Sequence, residues 1–147
     1  MPAFTFETDY TTSFKTMAGR KQYQALDEFT RGFIEALFFS ETGAPEDEAL
    51  QVVSFEELAP EALGKIQADC TAFAKDNQAD LEAAQKQQPG DCTARRAGAD
   101  FCFTRNGHGT GFWDGDWPEP YGERLTQAAH TYSELNLYRG DDQLIYV

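Results

Sequence analysis

Asp100-Phe-Cys-Phe-Thr-Arg-Asn-Gly-His-Gly-Thr-Gly-Phe-Trp-Asp114 is the stretch on which the reading of the second half of the chain turns. Phe101 and Phe103 alternate with Cys102 and Thr104, which predicts a strand over 100–105. Asn106-Gly-His-Gly109 is then a turn and Thr110–Asp114 the returning strand. A loop of two or four residues puts Phe101, Phe103 and Phe112 on one face, and a three-residue loop turns Phe112 to the other. The aromatic clustering favours the even loops, with Cys102 on the opposite face of the sheet.

Downstream, Tyr121, Leu125, Ala128, Ala129 and Tyr132 share one side of a predicted helix of about four turns. A second hairpin follows, with Leu135–Arg139 and Gln143–Val147 flanking Gly140-Asp-Asp142. Upstream, Pro60 opens a helix that the pattern Leu63, Ile66, Cys70, Phe73, Leu81 and Ala84 extends to about Gln88, before the stop Gln87-Gln-Pro-Gly90. Ser54 and Glu57 have capping-box spacing ahead of a helical turn at 55–58. Earlier still, apolar residues from Phe14 to Leu37 recur every three or four positions, so a helix is expected over 13–39, broken near Gly19. Phe33–Phe39 is apolar almost all round and reads as the most buried helix. Phe4 and Phe6 alternate with Thr5 and Glu7 as in a short strand or an extended lead-in. The expected fold is a single α+β domain over 1–147: residues 1–90 mainly helical with one long helix, then a hairpin-helix-hairpin over 98–147. That β-β-α-β-β unit would form an antiparallel sheet packed on helices.

Aromatic residues make up 14% of the chain, which implies a ring-rich core. The 25 Asp and Glu outnumber the 12 Lys and Arg, for a formal charge of −13. Such a surplus repels phosphate backbones and anionic membranes and attracts basic protein surfaces, although it also serves solubility alone. The expected partner is therefore a protein with a basic surface, with no direct nucleic-acid or membrane contact. Cys70, Cys92 and Cys102 form no Cys-x-x-Cys pair, so neither a disulfide framework nor a zinc knuckle is indicated. The absence of a leader pattern at Met1–Asp9 and the unpaired cysteines point to a reducing cytoplasm.

The acidic side chains concentrate at 41–61, where seven acidic residues meet no basic one. Glu46, Asp47, Glu48, Glu56 and Glu57 are accordingly candidate partner-binding residues, joined by Trp113, Asp114, Asp116 and Trp117 around the irregular loop after the first hairpin. An alternative site is the glycine loop itself, in which His108, flanked by Arg105, Asn106 and Asp114, could carry a proton or bind a small ligand. Against this, Asn-Gly fits a turn for backbone reasons alone, and no Ser or Cys sits in a nucleophile motif. The two histidines, His108 and His130, lack metal-ligand spacing, and the acidic pairs lack the calcium-loop pattern. No metal, cofactor or catalytic residue is expected.

Two strings, Thr104–Asp114 and Leu137-Tyr-Arg-Gly-Asp-Asp-Gln-Leu-Ile-Tyr146, together with Tyr23–Phe39, resemble a family of small uncharacterised proteins encoded by bacteriophages, plasmids and integrated elements. The sequence departs from that pattern at Gly115–Pro120 and Cys92–Ala97. The resemblance implies a mobile genetic element in a bacterial cytoplasm and carries no catalytic residues with it. With the acidic charge it leads to an accessory protein that acts by protein binding, as an inhibitor of a host nucleic-acid-handling defence system of the anti-CRISPR or anti-restriction type. The alternatives are a small enzyme or ligand-binding protein centred on 106–109 and a structural phage protein.

Overall fold

In the computed structural model, which describes residues 12–42, 48–50 and 53–147, the chain is dominated by helices. They are α1 (Met17–Gln24), α2 (Glu28–Glu41), α3 (Pro60–Asp76), α4 (Gln78–Gln87), α5 (Ala94–Arg105) and α6 (Tyr121–Ala129), with 3-10 turns at Glu48–Leu50 and Phe55–Glu57. Among the described residues the only sheet is two-stranded, β1 (Tyr138–Arg139) antiparallel to β2 (Ile145–Tyr146). The expected β-β-α-β-β unit is therefore wrong. Of its two hairpins only the second exists, shortened to two residues a strand; the α+β class gives way to a helical one. The Phe4–Phe6 strand falls outside the described residues.

The first hairpin is replaced by α5, and local chemistry explains why. The Thr93 side chain caps the helix by accepting from the Arg96 N–H at 3.1 Å, and Ala94, Ala97 and Ala99 favour helix around the flexible Gly98. The Asn-Gly pair ends this helix instead of turning a hairpin. Gly107 adopts φ 73°, its N–H bonds the Thr104 carbonyl at 3.2 Å, and the His108 N–H bonds the Phe103 carbonyl at 2.9 Å. That is a Schellman cap, with the His108 ring packed edge-on against Phe103 as its apolar contact. Phe101 and Phe112 are fully buried, whereas Phe103, on another side of the helix, is only half-buried.

Two other helix ends shift. The break expected at Gly19 lies at 25–27, where the Asp27 carboxylate accepts from the Thr30 N–H at 2.6 Å and starts α2. The long helix divides at Asn77, whose side-chain amide donates to the Phe73 carbonyl at 3.0 Å and competes with the backbone ladder. Pro60 stands in the first turn of α3, and the Ser54–Glu57 capping box forms.

The core is built on the crossing of α2 and α5. A Cβ on Gly32 would lie 2.0 Å from the Arg95 carbonyl oxygen, and one on Gly98 would lie 1.9 Å from that of Phe29, so each helix supplies the glycine that admits the other's backbone. Around this contact Phe73 stacks on Phe101 with centroids 4.1 Å apart, and Phe112 also stacks on Phe73, at 5.8 Å. Phe29, Phe33 and Tyr132 complete the ring cluster. Arg95 also reaches Glu28 at 3.1 Å and Glu35 at 3.3 Å, one turn to either side of Gly32, and Glu35 accepts from the Tyr23 hydroxyl.

Gly98→Ala is expected to destabilise the fold by roughly 2 kcal/mol or more, because the collision is with backbone and overpacking outweighs the helix propensity gained. Gly64→Ala, in α3 with open space around it, should instead stabilise by about 0.5–1 kcal/mol. Urea denaturation of the two variants checks the contrast.

Candidate functional site

Arg105, at the last turn of α5, is buried with its side chain 1% exposed. Nη1 pairs with the Asp69 carboxylate at 3.0 Å, Nε donates to the Ser133 carbonyl at 2.9 Å, and the guanidinium lies 5.1 Å from the ring centroids of both Phe101 and Tyr132. Such a paired, stacked guanidinium is an anchor between α3, α5 and the segment after α6, with no face left for a ligand. Asp69 was missed in the sequence, although a carboxylate on the apolar stripe between Ile66 and Cys70 is the signal that a buried cation faces it.

Asn106 is likewise engaged. Its side chain exchanges two hydrogen bonds of 2.9 Å with the Leu135 backbone, giving the carbonyl and N–H there the partners that a strand would have offered. Asp114 closes its own loop: its carboxylate accepts from the Thr110 hydroxyl at 2.5 Å, the Gly111 N–H at 3.3 Å and the Asp116 N–H at 3.2 Å. Partial burial opposes its ionisation, but these donors win and hold the pKa below the usual carboxylate range. His108 packs on Phe103, as described. The structure thus gathers the candidate ligand loop into one region, but Arg105, Asn106 and Asp114 serve to hold the chain.

The aromatic and acidic candidates divide in the same way. Trp117 is buried; its indole N–H donates to Asp100 at 2.6 Å and its ring meets Phe112 edge-on, so it belongs to the core. Trp113, by contrast, is 50% exposed. Asp116 is exposed and lies 3.8 Å from Arg96. Glu56 binds the N–H groups of Lys15 at 2.9 Å and Thr16 at 2.8 Å, hydrogen bonds that overcome desolvation and lower its pKa to about 2. Glu57 is held by the capping box and by Arg139 at 2.7 Å. Glu48 is exposed, and Glu46 and Asp47 lie outside the described residues.

Among the described residues no group of three His, Cys, Asp or Glu side chains converges as a metal site would require, and the three cysteines are buried thiols. No helix there is long and apolar enough to cross a membrane. Comparison of the chain with protein-family models, curated proteins and solved structures gives no match.

Asp100 carries a pH dependence. Burial lifts its carboxyl to about 7 against the opposing Trp117 hydrogen bond, and burial likewise lifts Glu35 to about 7. Between about pH 4, where an unfolded carboxyl loses its proton, and about 7, the folded chain binds more protons than the unfolded one. Stability contributed by these groups is thus complete at low pH and lost as pH rises through 7. Urea midpoints should be higher near about pH 5.5 than near about pH 8, and Asp100→Asn should raise the value at the higher pH and flatten the difference. An unchanged slope in that variant would show that the proton is not held there.

Proposed function

We propose that this protein is a non-enzymatic accessory protein of a bacteriophage or other mobile element, acting in the bacterial cytoplasm by binding a protein with a basic surface. The inhibited target in this reading is a nucleic-acid-handling component of a host defence system, of the anti-CRISPR or anti-restriction type. The observation that carries it is the fate of the chain's own cations. Among the described residues, eight of the twelve Lys and Arg (Lys15, Arg31, Lys65, Arg95, Arg96, Arg105, Arg124 and Arg139) pair with carboxylates of the chain. The remaining four cations, Arg20, Lys21, Lys75 and Lys86, are too few to offset the other carboxylates, and the field of the net −13 charge favours a basic partner and disfavours phosphate. The engagement of Arg105, Asn106 and Asp114 in structure supports the binding reading over the small-enzyme reading.

The carboxylates that hold the fold and those proposed to meet a partner separate in experiment. Replacing Glu46, Asp47 and Glu48 together by their amides should slow association with a partner isolated from host lysate and flatten its salt dependence, while the melting temperature stays within a degree or so. Glu56→Gln should instead lower the melting temperature by a few degrees, since Lys15 and Thr16 lose a charged acceptor. Loss of biological activity confined to His108→Ala, with the triple variant fully active, would favour the ligand-loop reading instead.

A further inference from the structure

We infer that the outer face of the β1–β2 hairpin, Tyr138 and Tyr146 rimmed by Asp141, Asp142 and Glu61, is a docking surface for an arginine side chain on a basic segment of the partner; this rests on the protein-binding reading above. Strand alternation creates the face. Tyr138 is directly opposite Tyr146 and Arg139 opposite Ile145, so the tyrosines share one side and Ile145 is buried on the other. The two rings lie 5.8 Å apart at 24° to one another, and Tyr138 is 55% exposed.

The face is set before any partner arrives. The Tyr146 hydroxyl donates to Asp142 at 2.5 Å, Asp142 also accepts from the Leu144 N–H at 3.0 Å, and the Tyr146 ring leans on Gly140, where a Cβ would come within 2.8 Å. Glu61 is brought alongside because the chain entering α3 is tied to β2, the Ala59 N–H donating to the Ile145 carbonyl at 2.8 Å. The hydrogen bond to Asp142 comes first, and with burial and the nearby charges of Asp142 and Glu61 it raises the Tyr146 hydroxyl to about 12, so the ring stays neutral.

The charge of this face is negative. Asp141, Asp142 and Glu61 are exposed, whereas Arg139 is held by Glu57, the Gln143 carbonyl and the Ala49 carbonyl, and Lys65, one turn along from Glu61, is tied to Asp69. A flat aromatic face beside carboxylates suits a guanidinium, which stacks and bonds carboxylate at once, better than a compact, strongly hydrated ammonium. The protein already uses the same combination internally, with Arg105 over Phe101 and Tyr132 and paired to Asp69.

The test is calorimetric titration of the protein with an arginine-rich peptide, a lysine-rich peptide of equal length and charge, and a neutral glycine-serine peptide at low salt. The arginine peptide should bind most tightly. Tyr138→Ala should weaken it about three- to five-fold and remove the preference over lysine, while Tyr138→Phe keeps both. Equal arginine-peptide affinity in Tyr138→Ala and the unaltered protein would overturn the assignment of this face. If the amide triple at 46–48 then weakened the peptide, the docking surface would lie elsewhere and the protein-binding reading would stand. An unaltered protein that bound the arginine peptide no better than the neutral one would overturn both.

Discussion

The close crossing of α2 and α5 is the constraint from which the rest of the structure follows. Two glycines remove the side chains that would keep the helices apart, and the main chains meet at carbonyl contact over Gly32 and Gly98. That proximity sets Phe101 between Phe33 and Phe73, which in turn gives Phe112 a ring to stack on. It also places Arg95 between Glu28 and Glu35, so the polar seam along the interface is aligned by the same backbone contact. Interiors packed to crystal-like density do not absorb an added methyl at such a point without moving an element.

What could be read from the sequence, and what could not, divides along the range of the interactions. The N-terminal helical content, the capping box at Ser54, Pro60 at a helix start and the Gly140 turn are all set within a few residues, and all are present. The segment 100–105 failed because alternation over six residues does not distinguish a period of 2 from one of 3.6. A wider window held the answer: Ala97, Phe101 and Arg105, with Gly98 and Cys102 beside them, form a helical stripe that α5 buries. The stripe was obscured because it contains an arginine and a glycine, and its meaning depends on Asp69, 36 residues away. Asn106-Gly107 was ambiguous for the same reason, since a positive φ serves a helix cap and a hairpin turn equally.

The candidate site shows the same division. Residue type alone does not reveal whether a side chain is already engaged within the fold. Glu56 and Glu57 sit in the acidic segment and are committed to the chain's own N–H groups and to Arg139, while Trp113 and Trp117, four residues apart, fall on opposite sides of the boundary between surface and core. Tyr138 and Tyr146 fall within the two runs of the expected second hairpin, and cross-strand register is what makes them a surface.

The segment Ser133–Val147 has little regular structure and is fastened by side-chain hydrogen bonds to distant parts of the chain. Arg105 holds the Ser133 carbonyl, Asn106 the Leu135 backbone, Glu41 the Leu137 N–H at 3.1 Å, and Arg139 the Ala49 carbonyl at 2.9 Å. The last two join residues 96 and 90 positions apart in sequence, so these clasps close loops that span most of the domain. Loop closure of that length is costly until the helices have already met, which makes this strap late in the order of assembly and early in any partial opening. The tyrosine hairpin rides on it. Its amide protons should accordingly exchange with solvent through openings smaller than global unfolding, and the availability of that face is coupled to the state of the clasp rather than to the stability of the helical core.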